Sequence, residues 1–425
     1  MLVRCGQIRV CQGVLSLVAV AAVVSAAWGQ ESASARLRQD VETLCSETYE
    51  GRGAGTPGLA KAATLIEERF RALGLRPLGE AGFRQEWKAP DSTLVVNLIG
   101  VLGGTAGDSA TSQAAGGKHH HVVLAAHYDH LGRGALGSAN QGQLHPGADD
   151  NASGVAVLLE CARRLREQEP PAHSVVVIAF GGEESGLLGS AHYVEHPVLP
   201  LAECTAMVNL DTVGRLFGNP LTVFGTSTAQ QLPDVLRGVN TGFGFDLQLP
   251  EKDPGGSDQK SFVGRGVPAI QLFTGANADY HRPGDTPDKL DYAGLERIAG
   301  FTSELVRYLA DRDEPLTFLP PGATSAPAQI APKSSGSRRV TFGSIPDFND
   351  KGEGVLLSGV IAGSPAEKVG LRAGDRIVGF AGVAVTDLAS YSEVLKTLSP
   401  GDEAEVTFVR DGKRQTVKVT VVERK

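Results

Sequence analysis

Short apolar runs rich in β-branched residues alternate with amphipathic stretches of helical period along most of this chain, and that alternation restricts its fold more than any other feature. Leu94 to Leu102, Val122 to Ala126, Val175 to Phe180 and Ala206 to Leu210 read as buried strands. Leu59, Ala62, Ile66, Phe70 and Leu73 recur on one helical face that stops at Gly74, and Val155 to Leu165 and Leu290 to Leu309 read as further helices. A parallel strand pair needs a long crossover, which a helix supplies, so this order predicts an α/β fold: a mixed, mostly parallel central sheet with helices on both faces. Open sheets of this kind carry their sites beyond the carboxyl ends of the strands.

Those strand ends are rich in metal-capable side chains. His127-Tyr128-Asp129 follows the second strand, Glu183-Glu184 the third, and Asp211 the fourth. Adjacent acids at a strand mouth point in different directions, so one can hold a metal while the other accepts a proton. Paired acids in loops are ordinarily solvated surface, and a lone loop histidine is ordinarily structural; three successive strand ends delivering such groups to one edge argue otherwise. Gly147-Ala148-Asp149-Asp150-Asn151-Ala152-Ser153-Gly154 runs into the helix at Val155, where negative charge is favoured. Capping explains one acid there, whereas an acid beside the strand ends can bridge two cations. With the downstream turn Asp279-Tyr280-His281-Arg282-Pro283-Gly284, residues His127, Asp149, Glu184, Asp211 and His281 form a nitrogen and oxygen ligand set suited to zinc, with carboxylates enough for two ions.

A net charge of −8 spread without long runs excludes an electrostatic footprint for nucleic acid or an anionic membrane, leaving small soluble partners. Arg4 and Arg9, the apolar stretch Val14 to Val24, and Ala27 and Gly29 flanking Trp28 describe a secretory signal peptide over residues 1–29, and hence export to a periplasmic or extracellular site; an uncleaved anchor is the alternative. The exported chain keeps Cys45, Cys161 and Cys204, too few for a disulfide framework although one pair could form, and without Cys-x-x-Cys spacing. Cys161 falls in a helical apolar pattern and reads as core. Residues 313–337 are crowded with Pro, Ala, Ser and Gly and read as a linker; 103–118 read as a surface loop, and His119-His120-His121 as its junction with a strand.

Taken in order, Glu50-Gly51-Arg52-Gly53-Ala54-Gly55-Thr56-Pro57-Gly58, His127-Tyr128-Asp129, Gly147 to Gly154, Gly182-Glu183-Glu184, Asn209-Leu210-Asp211 and Tyr280-His281 resemble the secreted co-catalytic di-zinc aminopeptidases of the zinc exopeptidase clan. The resemblance implies a catalytic domain over residues 36–312 holding two zinc ions, with cobalt or manganese as possible substitutes, that hydrolyses peptides bearing a free N-terminus. It makes Asp149 the carboxylate bridging both metals, His127 and Asp211 ligands of one, and Glu184 and His281 ligands of the other. Glu183 becomes the general base, Asp129 orients His127 through its second ring nitrogen, and Tyr280 matches a position that steadies the oxyanion in some members. Relatives often carry His where Gln259 stands, so a contact beside the site differs here; His145 reads as a polar loop residue.

After the linker, Gly354 to Val360, Gly363-Ser364-Pro365-Ala366-Glu367-Lys368-Val369-Gly370-Leu371 and Gly374-Asp375-Arg376-Ile377 resemble a PDZ domain of the bacterial type over residues 338–425. Such domains add an extended peptide to a sheet edge and hold its terminal carboxylate on backbone amides. Phe342-Gly343-Ser344-Ile345 is the counterpart of that loop, so peptide C-termini are expected partners. The same clan contains glutaminyl cyclases and carboxypeptidases, and a catalytically inert peptide-binding adaptor is a further alternative that the full ligand set argues against.

Overall fold

The computed structural model describes residues 32–105, 120–134, 140–251, 253, 256–320, 340–347, 352–361 and 363–423. The expected signal peptide, His119 and most of the linker lie outside these residues. The larger unit contains strands β1 (Arg76–Pro77), β2 (Arg84–Lys88), β3 (Leu94–Leu102), β4 (His121–His127), β5 (Ser174–Phe180), β6 (Cys204–Leu210), β7 (Leu221–Phe224), β8 (Leu247–Gln248) and β9 (Ala269–Phe273). Its helices are α1 (Ala33–Leu44), α2 (Pro57–Ala72), α3 (Gly154–Glu167), α4 (Leu188–Glu195), α5 (Leu232–Asn240), α6 (Gln259–Val263) and α7 (Tyr292–Ala310).

The strands form one sheet in the order β1-β3-β5-β4-β6-β9-β7-β8, with β2 also paired to β3. Its centre, β5-β4-β6-β9, is parallel, while β3 and β7 join antiparallel on either side. Both faces are covered, which is why the central strands are mostly apolar instead of alternating with polar residues. On one face Leu124, Val177 and Val208 pack with Leu37, Ile66, Val155 and Ile298 of the helices. On the other, Val123, Ile178 and Met207 pack with Tyr193 of α4 and Phe262 of α6. Successive residues of a strand thus serve opposite cores.

Local signals set the helix ends. The Thr56 hydroxyl accepts from the Leu59 N–H and Pro57 occupies the first turn of α2, so this helix begins ahead of its apolar stripe. Strand β9 is absent from the sequence-based reading, because Gln271 interrupts a short apolar run and hides it. Cys45, Cys161 and Cys204 are all buried free thiols, Cys161 packed in α3 with its Sγ 3.4 Å from the Ala299 carbonyl.

The C-terminal unit has its own core. Strands β10 (Val340–Thr341), β11 (Ser344–Pro346), β12 (Val355–Val360), β13 (Arg376–Phe380), β14 (Val383–Ala384), β15 (Glu403–Arg410), β16 (Lys413–Thr420) and β17 (Val422–Glu423) accompany helices α8 (Pro365–Lys368) and α9 (Leu388–Lys396). Its principal sheet runs β11-β12-β13-β15-β16, antiparallel throughout, over a core that includes Phe342, Phe380, Tyr391 and Phe408. Ser364 caps α8 through the Glu367 N–H ahead of Pro365, as its cap-then-proline order predicts.

Candidate active site

Four parallel strands end at one edge, and each supplies part of a single cluster. His127 is the last residue of β4, Glu183 and Glu184 lie in the loop after β5, Asp211 directly follows β6, and His281 sits in the loop after β9. The Asp129 carboxylate accepts the N–H groups of Glu183 (3.1 Å) and Glu184 (3.2 Å), tying the β5 loop to the end of β4. Its Oδ1 is 3.7 Å from His127 Nδ1, which is nearer to the Asp129 carbonyl at 3.3 Å. Asp129 therefore braces the two glutamates more directly than it orients the imidazole.

At the centre stands Asp150, not Asp149. Asp150 Oδ1 lies 3.3 Å from His127 Nε2, and Asp150 Oδ2 lies 3.0 Å from His281 Nε2. Asp211 Oδ1 is 3.5 Å from His127 Nε2, and Glu184 Oε2 is 3.1 Å from His281 Nε2. Asp150 thus faces His127 and Asp211 with one oxygen, His281 and Glu184 with the other. The expectation that Asp149 does this is corrected by its surroundings: its Oδ1 accepts the Gly214 N–H (2.7 Å) and its Oδ2 accepts from Asn277 Nδ2 (3.1 Å). The reason is local. Asp285 Oδ2 accepts both backbone N–H groups, of Asp149 (2.9 Å) and Asp150 (3.1 Å), and Asp150 has non-helical angles (φ −111°, ψ 92°), so the adjacent side chains diverge.

Two contributors escaped the sequence-based reading. His130, buried and three residues past His127, places Nδ1 2.7 Å from Glu184 Oε1 and 3.9 Å from Asp150 Oδ2. A side chain at Gly147 would strike this ring, so glycine is required there by close approach as well as by its positive φ of 57°. Arg52 is fully buried and donates to the carbonyls of Leu44, Tyr128, Pro146 and Gly147, joining α1, the end of β4 and the Asp149-Asp150 turn. The His127-Tyr128-Asp129-His130 run was a signal for the first; a buried arginine spent on carbonyls leaves no such signal.

Electrostatics set this edge apart. Burial alone would lower the pKa of His127, but Glu183, Asp129, Asp150 and Asp211 outweigh it and hold the ring well above the ordinary histidine value. His281 is likewise raised to about 10 against burial by Glu184 and Asp150. Burial pushes up the Glu184 and Asp150 carboxyls, yet the facing histidines win, drawing Glu184 down to about 2 and Asp150 well below the carboxylate range. Glu183 is the contrary case: burial, reinforced by Glu184 and Asp211, lifts its carboxyl well above that range despite His127.

The donors suit zinc. His127, Asp150 and Asp211 place one donor atom each within 4.8 Å of one another, as do His130, Asp150 and Glu184. His281 Nε2 and Asp150 Oδ2 are buried and 3.0 Å apart, and imidazole with carboxylate is a zinc donor set.

Tyr280, also singled out from the sequence, is 44% exposed and stacks on His281 with ring centroids 4.0 Å apart. His145 is buried but turns Nδ1 to the Gln143 carbonyl at 3.1 Å, apart from both donor groups. Gln259 lies inside the protein and contacts Gln271, which in turn reaches Asp211. In the C-terminal unit Phe342 is core, stacked on Phe380 at 5.0 Å, while Gly343 takes a φ of 89° and Ser344 and Ile345 enter the edge strand β11.

A parallel sheet whose strand ends present interlocked imidazoles and carboxylates describes a metallohydrolase, and comparison with known proteins narrows the class. Residues 109–306 match the model of peptidase family M28, and residues 344–421 match that of the PDZ domain. The chain is 30% identical over 200 residues to aminopeptidase YwaD of Bacillus subtilis, and the match covers 44% of this chain and 41% of that protein, less than half of either. Among solved structures, the zinc aminopeptidase BSAP from Bacillus subtilis superposes with a TM-score of 0.52 at 19% identity, covering 67% of this chain and 98% of that one. Porphyromonas gingivalis glutaminyl cyclase superposes equally well, with a TM-score of 0.52 at 20% identity over 65% of this chain and 98% of that one.

Proposed function

We propose that this protein is an exported zinc-dependent aminopeptidase with a two-metal site. Asp150 would be shared between the ions, His127 and Asp211 would hold one and Glu184 and His281 the other, with Glu183 as the general base. The observation that carries this reading is the pair of Asp150 oxygens facing two separate imidazole–carboxylate groups. Zinc held there would acidify water and polarise the scissile carbonyl.

The protein's own groups do the rest. Asp129 anchors the Glu183 backbone, so the base keeps its place when the peptide enters. Burial gives the Glu183 carboxylate an appetite for protons, which suits a group that accepts one from the attacking water and returns it to the leaving amine. His130 holds the Glu184 oxygen remote from His281, leaving the other free to coordinate. A cavity of about 250 Å³ beside this loop, lined by Leu59, Val95, Val96, Gly181, Gly182 and Leu188, offers apolar room for part of a peptide.

Metal analysis combined with a peptide panel, each member with a free or acetylated N-terminus, tests the assignment. Zinc-dependent release of N-terminal residues from free peptides alone is expected; cleavage indifferent to acetylation sinks the aminopeptidase assignment. The fold shared with a glutaminyl cyclase motivates a second reading, for which peptides with N-terminal Gln would lose ammonia instead of a residue.

We also propose domain limits of 36–312 and 338–425 joined by the 313–337 linker, and export directed by residues 1–29. Among the described residues no helix is long and apolar enough to cross a membrane. The PDZ domain would take peptide C-termini along β11, which ends its sheet, with Gly343 to Ile345 beside the terminal carboxylate. Deleting residues 338–425 should weaken turnover of long peptides more than of dipeptides; equal effects would exclude recruitment.

A further inference from the structure

Beneath Asp211 lies a line of amides running through three elements. Asn209 of β6 donates from Nδ2 to Gln259 Oε1 (3.3 Å) and to Ser257 Oγ (2.8 Å); Gln259 at the start of α6 donates from Nε2 to Gln271 Oε1 (2.9 Å). Gln271 of β9 then donates from Nε2 to Asp211 Oδ2 (3.4 Å). Asn209 and Gln259 have no exposed surface and Gln271 has 7%, so water does not compete along the line. Gln259 Nε2 also faces Asp253 Oδ2 at 3.4 Å.

Each primary amide has one accepting and one donating end, so the direction at one link dictates the next. Reversal would set carbonyl oxygens against the carboxylates of Asp211 and Asp253. As built, the line must finish in an N–H aimed at Asp211. Its other oxygen, Oδ1, accepts from Thr212 Oγ1 at 2.9 Å and lies 3.5 Å from His127 Nε2.

We propose that Gln259 and Gln271 are positioning residues for metal binding: together they hold Asp211 Oδ2 as an acceptor and keep Oδ1 turned towards His127. This rests on the zinc reading above and adds what secures the ligand. Such outer hydrogen bonds fix a ligand's orientation and basicity. A neutral histidine at position 259 also has one N–H and one accepting nitrogen, so it could continue the line, whereas an aliphatic side chain could not.

Zinc affinity measured by competition with a chelating dye, the visible spectrum of the cobalt-loaded protein, and the melting temperature of the metal-free protein test this in full-length variants. Gln271→Met should weaken zinc about tenfold and alter the cobalt bands, with the metal-free melting temperature little changed. Gln259→Met should do the same to a smaller extent, and Gln259→His should stay within about twofold of the parent. Parent-like affinity and cobalt spectrum in Gln271→Met overturns the proposal, as does equal loss in Gln259→Met and Gln259→His. Asp211→Asn separates the two layers: if it binds zinc like the parent, the ligand assignment itself fails and this proposal with it. Should Gln271→Met not fold, the Gln259 pair, one link further from the metal, decides the matter.

Discussion

Strand β4 has a histidine at each end, and the two have opposite fates. His121 and His127 are equally enclosed, each 1% exposed. Burial pushes His121 down to about 4, with a small further push from His120, and neither of its ring nitrogens has a hydrogen-bond partner. His127 is driven the other way, because Glu183, Asp129, Asp150 and Asp211 converge on it from the loops around the strand end. Burial by itself discharges an imidazole; what makes one end of the strand a cation site is the carboxylates that the neighbouring elements bring to it. A shared residue type and a shared burial therefore say little about role.

That contrast can be broken at several points. The largest effect is expected from Asp150→Asn, which removes the one acid facing both imidazoles and should abolish zinc binding and turnover together, while Asp149→Asn retains measurable zinc; metal analysis showing the reverse order would restore Asp149 as the bridging residue. Glu183→Gln should keep the zinc yet lower kcat by about 10³-fold, since general-base catalysis contributes on that order. Retained turnover would remove Glu183 from its role.

At the other end of the strand the expected readout is stability against pH. The unfolded chain binds a proton on His121 near the ordinary value of 6.5, whereas the folded chain resists until about 4. Stability is thus lost as pH falls from about 6.5 towards 4, by up to roughly 3 kcal/mol. His121→Leu should remove that loss and flatten denaturant midpoints between pH 7 and 4 with activity at pH 7 unchanged; an unaltered acid slope would show that the ring is not held neutral. The smallest effect is expected from Tyr280→Phe, about a tenfold fall in kcat with KM unchanged if its hydroxyl steadies the oxyanion. A rise in KM alone would instead place Tyr280 in substrate binding.

Much of the strand-end chemistry was legible because it is local. His127, Glu184 and Asp211 each follow an apolar run, and a parallel sheet sends all such ends the same way. The Asp149 and Asp150 pair was not legible, because two identical side chains in one turn differ only in backbone angles and in what Gly214, Asn277 and Asp285 demand of them. His130 stood in view beside His127 but lacked a stated partner. Arg52 and the Gln259–Gln271 line were hidden for another reason: most of their hydrogen bonds go to groups distant in sequence, such as Tyr128 for Arg52 and Asp211 for Gln271, which no periodicity records.

By itself the sequence determined the alternating strands and helices, the parallel core and the edge at which acids and imidazoles collect, since these follow from residue spacing and from the side-chain periods of strand and helix. It also marked a second unit, resembling a PDZ domain, after a stretch of linker-like composition. Only the tertiary structure set Asp150 rather than Asp149 between the two imidazoles, added His130, and surrounded one histidine of β4 with carboxylates while leaving the other a neutral core residue. The physical reason is that charge, unlike secondary structure, answers to neighbours in space: the same imidazole binds or refuses a proton according to which carboxylates the fold sets against it.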